Sequence, residues 1–184
     1  MPVEYELKFV LSDPDGHLRH NLAQVADSFE IEQIYTPKGA RLRRLREIPF
    51  EEISYTFTFK ESINGKLLEF EDSVDAQDYE LARSGAASEL FKIRYKIPVD
   101  GGDWDVDFLM TGRPEEGGQV YFVMAELELP EGAPWELLDI LKPYLVLQVP
   151  YEDSTYFTNR KLCDVGYARE VTERYLAGDL RRAA

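Results

Sequence analysis

The chain has 184 residues, 44% of them apolar and 12% aromatic, which is enough to bury a core and too apolar for a disordered polymer. Thirty-five acidic against 21 basic residues give a formal net charge of −14. That balance disfavours nonspecific attraction to DNA or to an anionic membrane, while leaving room for a local basic site.

A single cysteine, Cys163, allows no internal disulfide and points to a reducing compartment. No run has the length of a membrane span or the apolar core of a signal peptide, so the expected setting is the cytoplasm. One domain over 1–184 is expected, with 164–184 as a helical tail.

The chain opens on Glu4-Tyr5-Glu6-Leu7-Lys8-Phe9, a strict alternation that predicts a strand over 3–11 with its charges on one face. Ser12-Asp13-Pro14-Asp15 is a helix start, and Leu18, Leu22, Val25 and Ala26 continue it to about Ser28. His17 and His20 fall on that helix as solvated residues. Strands follow at 29–35 and 40–47, the second carrying Arg41, Arg43, Arg44 and Arg46. Another runs over 53–60 with Ser54, Thr56, Thr58 and Lys60 on one face. Asn64-Gly65 predicts a hairpin turn, and 66–74 returns with Glu69 and Glu71 paired.

Asp75 opens a second helix over 75–87. The strand at 90–97 sets Lys92, Arg94 and Lys96 against Phe91, Ile93, Tyr95 and Ile97. After the turn Asp100-Gly101-Gly102, Asp105 and Asp107 alternate with Trp104, Val106 and Phe108. A strand over 119–129 carries Glu126 and Glu128. A short helix is expected after Pro134 with Trp135, Leu138 and Leu141. Leu145–Val149 has the pattern of a short strand, 154–163 that of helix or turn, and 171–184 that of a helix with Tyr175, Leu176 and Leu180. The stripe Val171, Tyr175, Leu176 packs on its own sheet or on a second subunit, so a monomer or a homodimer is expected.

The plain account of these charged faces is the solvated side of an antiparallel sheet. It does not explain why like charges recur two residues apart, since neighbouring like charges repel. Paired carboxylates suit a hard divalent cation, Mg²⁺ or Mn²⁺, and arginines and lysines in the same pattern suit phosphate oxygens. Acid and base within one enclosure is what a metal–polyphosphate requires. The apolar faces would then look outward, covered by the helices at 15–28 and 75–87 and by the C-terminal segment.

The set Glu4-x-Glu6-x-Lys8, Arg41-Leu42-Arg43, Lys60, Glu69-Phe70-Glu71, Lys92-Ile93-Arg94-Tyr95, Asp107 after Trp104, and Glu126-Leu127-Glu128 resembles, in order, the triphosphate tunnel metalloenzymes, also called the CYTH superfamily. The resemblance spans about residues 3–163. It implies an α+β fold: an eight-stranded antiparallel β-barrel enclosing a charged tunnel, with helices packed outside. It also implies Mg²⁺- or Mn²⁺-dependent action on a small-molecule triphosphate, with no DNA or membrane partner.

By that resemblance Glu4, Glu6, Asp107, Glu126 and Glu128 would hold metal, and Lys8, Arg41, Arg43, Lys92 and Arg94 would bind phosphates. Glu69 and Glu71 would hold metal or orient the basic side chains. Phe157–Leu162 resembles the family's C-terminal stretch and offers Lys161 to the tunnel, with Arg160 as its rival. Asp105 and Lys96 are expected at the rim. Lys60, crowded by Arg41, Arg43, Lys92 and Arg94, is the candidate general base, its pKa lowered by like charge, with Tyr35 beside it; the alternative is that Lys60 only binds phosphate. The expected activity is hydrolysis of inorganic tripolyphosphate or an organic triphosphate. Adenylyl cyclase chemistry, a non-catalytic polyphosphate-binding module and a charged sheet without activity are the rivals.

Overall fold

The computed structural model describes residues 4–63, 66–130 and 132–180, apart from the side chains of residues 4, 62, 63, 66 and 67. The expected turn at Asn64-Gly65, the side chain of Glu4 and the last residues of the expected tail lie outside the described residues. In chain order the elements are β1 (Glu4–Leu11), α1 (His17–Leu22), β2 (Asp27–Tyr35), β3 (Arg41–Ile48), β4 (Ile53–Ile63), β5 (Lys66–Ser73), α2 (Ala76–Ser84), β6 (Ser88–Val99), β7 (Gly102–Met110), β8 (Val120–Pro130), β9 (Leu145–Val149), α3 (Asn159–Leu162) and α4 (Val165–Leu176).

All nine strands form one antiparallel sheet in the order β5-β4-β3-β2-β6-β7-β8-β1-β9. The antiparallel α+β fold expected from the resemblance is present, but closure into an eight-stranded barrel is not shown. The short strand β9 adds to β1, and among the described residues no pairing joins β9 to β5.

Residues directly opposite one another on paired antiparallel strands share a face. The observed pairs are Glu6–Glu128, Lys8–Glu126, Asp105–Glu126, Arg94–Asp107, Tyr35–Arg41, Arg41–Thr58, Thr58–Glu71 and Lys60–Glu69. The strand residues expected to hold metal or phosphate therefore fall on one side of the sheet, whereas Arg44 and Arg46, opposite Glu32 and Glu30, fall on the other. On the first of these sides Arg43 on β3 is within electrostatic reach of Arg94 on β6 and Asp107 on β7.

Over β1, β6, β7 and β8 the opposite face is apolar and covered, whereas Leu68 and Phe70 on β5 are exposed. Leu7, Phe9, Tyr95, Trp104, Phe108 and Leu127 pack against Leu18 and Leu22 of α1 and against Leu141. Tyr79 of α2 lies on Ile34 and Leu42. At the start of β7, a Cβ on Gly102 would meet the Glu128 carbonyl oxygen at 2.1 Å, so only glycine lets the strands approach there.

Three local expectations are corrected. The first helix stops at Leu22, not near Ser28: Asp13 accepts the Leu18 and Arg19 N–H groups at 2.9 Å, but Val25 is exposed and Asp27 already pairs with Lys96 in β2. Residues 134–141 form no helix, and a single 3-10 turn comes only at Lys142–Tyr144. Ala133, Leu137, Leu138, Ile140 and Leu141 all pack on the sheet, a run too continuous for one helical face. The C-terminal segment does not cover the outer face. Phe157, Leu162, Val171 and Tyr175 pack on Val10, Leu90, Leu109 and Met124, the apolar ends of the charged face. The last helix also starts earlier, at Val165, with the Asp164 carboxylate accepting the Tyr167 N–H at 3.0 Å. Val171 and Tyr175 thus pack within their own chain, while Leu176 points to solvent.

Leu162 is fully buried where the C-terminal segment meets the sheet. Leu162→Ala is expected to lower unfolding stability by about 2–5 kcal/mol in urea titration, and exposed Leu176→Ala by less than about 0.5 kcal/mol. Equal losses would mean that this segment is not a cohesive part of the core.

Candidate active site

The charged face divides into two halves. Across β6, β7, β8 and β1 the cations and carboxylates pair with one another. Lys8 Nζ donates to Glu6 at 2.7 Å and to Glu126 at 2.5 Å. Lys92 Nζ donates to Asp107 at 2.5 Å, and Arg94 donates to both Asp107 oxygens at 2.7 Å. Arg94 also donates to Asp105 and reaches Glu126 at 3.5 Å. Asp105, placed at the rim by sequence, is buried in this network, whereas Lys96 is half exposed and pairs with Asp103 at 2.9 Å.

Along β6 the side chains of Lys92, Arg94 and Lys96 are 0%, 14% and 40% exposed. The face is therefore shut at the end where the C-terminal segment packs and opens toward the other.

Burial and the neighbouring Glu126 carboxylate push the Glu6 carboxyl up to about 7, against the pull of Lys8. Burial alone would raise Asp107, but Arg94 and Lys92 hold it well below the usual carboxylate range. Burial and the Arg94 guanidinium push Lys92 down to about 8, outweighing Asp107. The lysine crowded by like charge is thus Lys92. Lys60, on the β4–β5 hairpin, is half exposed and pairs with Glu69 at 3.0 Å.

The other half, on β2 to β5, is less neutralised. Arg41 donates to Thr58 at 3.1 Å, Thr58 donates to Glu71 at 2.9 Å, and Arg41 stands 3.9 Å from Glu71. Arg43 has only a 3.4 Å hydrogen bond to Gln33 and, among the described residues, no carboxylate partner. The Nε atoms of Arg41 and Arg43 are buried without an acceptor. Burial, Arg41 and Arg94 lower Arg43 to about 10, a cation held where its neighbours disfavour charge.

Gln33 donates to the Tyr35 hydroxyl. Burial is the main reason the Tyr35 pKa lies above its ordinary value, so Tyr35 stays protonated and can donate. Arg160 stands over the Tyr35 ring at 5.9 Å, while Lys161 lies over Tyr156 at 5.4 Å. Arg160, not Lys161, is the residue brought beside Tyr35.

Sequence reasoning missed two members, Gln33 and Thr58 as hydrogen-bonding links, although Thr58 lies on the polar face of its alternating strand. Glu32, a buried carboxylate on the opposite face, pairs with Arg113 at 2.7 Å and Arg83 at 3.0 Å and ties α2 to β2. A cavity of about 440 Å³ between Trp104 and Trp135 also lies on that apolar face, with no opposed charges to polarise a bond.

Among the described residues no three acidic, histidine or cysteine side chains stand close enough to share one ion. Two do meet: Glu6 and Glu126 converge on Lys8. Mg²⁺ is commonly held by one or two carboxylates together with substrate phosphates rather than by an all-protein cage, so this pair fits such an ion. Asp107 is committed to Lys92 and Arg94, and Glu128 shares the face through its register with Glu6.

No protein-family model matches the chain, and no curated protein matches it. Among solved structures, a conserved hypothetical protein from Pyrococcus furiosus is similar at 19% identity and TM-score 0.45, over 82% of this chain and 99% of that one. A candidate adenylate cyclase from Bacillus halodurans is similar at 15% identity and TM-score 0.41, over 70% and 80%. The Mimivirus capping enzyme triphosphatase is similar at 8% identity and TM-score 0.32, over 89% of each. Likeness at this level assigns neither a family nor an activity. No helix among the described residues is long and apolar enough to cross a membrane.

The Glu6 shift fixes a pH dependence. Its folded pKa of about 7 lies above the ordinary 4.5, so the folded chain resists an ionisation that the unfolded chain accepts. Stability is lost as pH rises from about 4.5 to about 7 and levels off above that. In metal-free protein, Glu6→Gln should flatten this fall. Chemical denaturation at pH 5, 6 and 7.5 checks it, and an unchanged slope would show that Glu6 ionises freely.

Proposed function

We propose that the chain is a metal-dependent triphosphatase, hydrolysing inorganic tripolyphosphate or an organic triphosphate such as thiamine triphosphate or a nucleotide. The observation that carries this reading is Arg43, a half-buried guanidinium with a buried, unused Nε and no ion-paired carboxylate among the described residues, next to Arg41 with the same unused donor. A guanidinium lacking acceptors in a buried setting is disfavoured unless an anion completes it. Polyphosphate supplies multiply charged tetrahedral groups whose oxygens the planar arginine fork can grip in pairs. The charged face would then be one wall of a triphosphate site.

In this reading Arg41 and Arg43 clamp one phosphate, with Tyr35 donating a hydrogen bond and Arg160 approaching from α3. Lys8, Lys92 and Arg94 contact the neighbouring phosphates, and Lys161 is a less direct contributor. Glu4, Glu6, Asp107, Glu126 and Glu128 form the metal-holding side, centred on Glu6 and Glu126, while Glu69 and Glu71 orient Lys60 and Arg41. When bound, Mg²⁺ or Mn²⁺ supplies charge neutralisation on the phosphate oxygens and the leaving group. Lys60 is proposed to accept the proton of the attacking water, which requires it to leave its ion pair with Glu69 and lose its own proton first.

The test is phosphate release from tripolyphosphate, thiamine triphosphate, ATP and GTP with Mg²⁺ or Mn²⁺, with cyclic AMP assayed in parallel. Metal-dependent release from at least one is expected. Cyclic AMP from ATP would replace the reading with a cyclase, and tight binding without release would replace it with a capture module. Arg43→Ala should weaken polyphosphate binding about tenfold to hundredfold, the worth of one charge-assisted contact. For Lys60→Ala, a fall in kcat supports the base role, whereas a raised KM with unaltered kcat assigns Lys60 to phosphate binding alone.

A further inference from the structure

Resting on that reading of the site, we infer that Lys8 is a latch: it holds the metal-binding carboxylates closed until an anion draws it away, so the divalent cation enters only with polyphosphate. The ammonium of Lys8 sits 2.7 Å from Glu6 and 2.5 Å from Glu126. These are the oxygens a divalent ion would need, and they are already held by a positive charge from the same chain. A free cation must displace the ammonium into a buried setting, where Arg94 and Lys92 already carry positive charge.

The anion meets no such obstacle. The unused donors of Arg41 and Arg43 lie on the opposite half of the face, so polyphosphate can bind first. Its oxygens then offer Lys8 a third acceptor, since an ammonium has three donors and only two are engaged. Moving Lys8 onto phosphate frees Glu6 and Glu126, and the phosphate adds oxygens to complete an ion that takes few protein ligands. Binding of cation and anion is thereby coupled in both directions. The substrate that the site selects is the metal–polyphosphate pair, and excess free metal does not occupy it.

Three measurements on the full chain test this. Calorimetry with tripolyphosphate in metal-stripped buffer is expected to show binding. No binding there overturns the latch, which needs the anion to bind first, while binding once Mg²⁺ is added would leave the polyphosphate reading standing and no binding with or without metal would overturn both. Mn²⁺ binding without anion, followed by electron paramagnetic resonance, is expected to be at least about tenfold weaker for the wild type than for Lys8→Met. Equal Mn²⁺ affinities overturn the latch while leaving the polyphosphate reading standing.

Should Lys8→Met fail to fold, the wild type alone decides by thermal melting. Tripolyphosphate alone should raise Tm, Mg²⁺ alone should not, and the two together should raise it beyond the anion. A rise with Mg²⁺ alone equal to that with both overturns the inference.

Discussion

Lys8 stands opposite Glu126 because β1 and β8 pair in continuous register from Glu4 with Pro130 to Leu11 with Val123. Slipping that pairing by one residue would carry Leu7 and Phe9 to the charged side and expose Lys8 among aromatic rings. The same holds for each neighbouring ladder. What fixes the register is the apolar face, where Phe9, Trp104, Phe108 and Leu127 must meet α1. Hydrophobic burial on one side of the sheet thus positions ionic chemistry on the other, and no loop is required to carry the site.

The ionic side is costly. Burying charge in paired form is often no more stable than filling the same space with apolar residues, and it becomes strongly destabilising if one partner is missing. Lys92 and Asp107 are wholly buried, and Arg94, Asp105 and Glu126 nearly so. Stability alone gives no reason to retain five such groups. On the proposed reading, a ligand that carries charge of both signs does. The half on β6 to β1 is self-neutralised, while the half on β2 to β5 has spare donors.

The single shared face was legible in the sequence because strand alternation has a period of two and needs no tertiary information. Who pairs with whom was not, since ion pairing depends on sheet order. Glu126 reaches Lys8 because β8 lies beside β1, although they are 118 residues apart in the chain. The same order puts Lys60 on the β4–β5 hairpin at one edge of the sheet, so the crowding foreseen for Lys60 falls on central Lys92. The choice between Arg160 and Lys161 is beyond strand logic altogether. Adjacent residues on a helix diverge by about 100°, and the rotation of α3 alone sets Arg160 over Tyr35. The C-terminal helix was legible as amphipathic, but an apolar stripe does not say which face of a sheet receives it. The answer lay in Val10, Leu90, Leu109 and Met124, apolar residues interrupting otherwise charged faces.

Those four residues also give the site a direction. They close one end of the ionic face with an apolar plug, and exposure rises from Lys92 through Arg94 to Lys96 away from it. Under the proposed function, an anion entering across β6 to β1 from the open end meets Lys96 and Glu6 first and Lys92 and Asp107 last. On the proposed reading, the phosphate chain runs inward and any organic group stays at the mouth, beyond the buried network. The buried residues then recognise only phosphate, which every triphosphate shares. Selectivity among substrates must arise from the half-exposed rim, where side chains are least constrained by packing. That is the physical reason a strand pattern can announce phosphate chemistry and still leave the identity of the attached group unwritten.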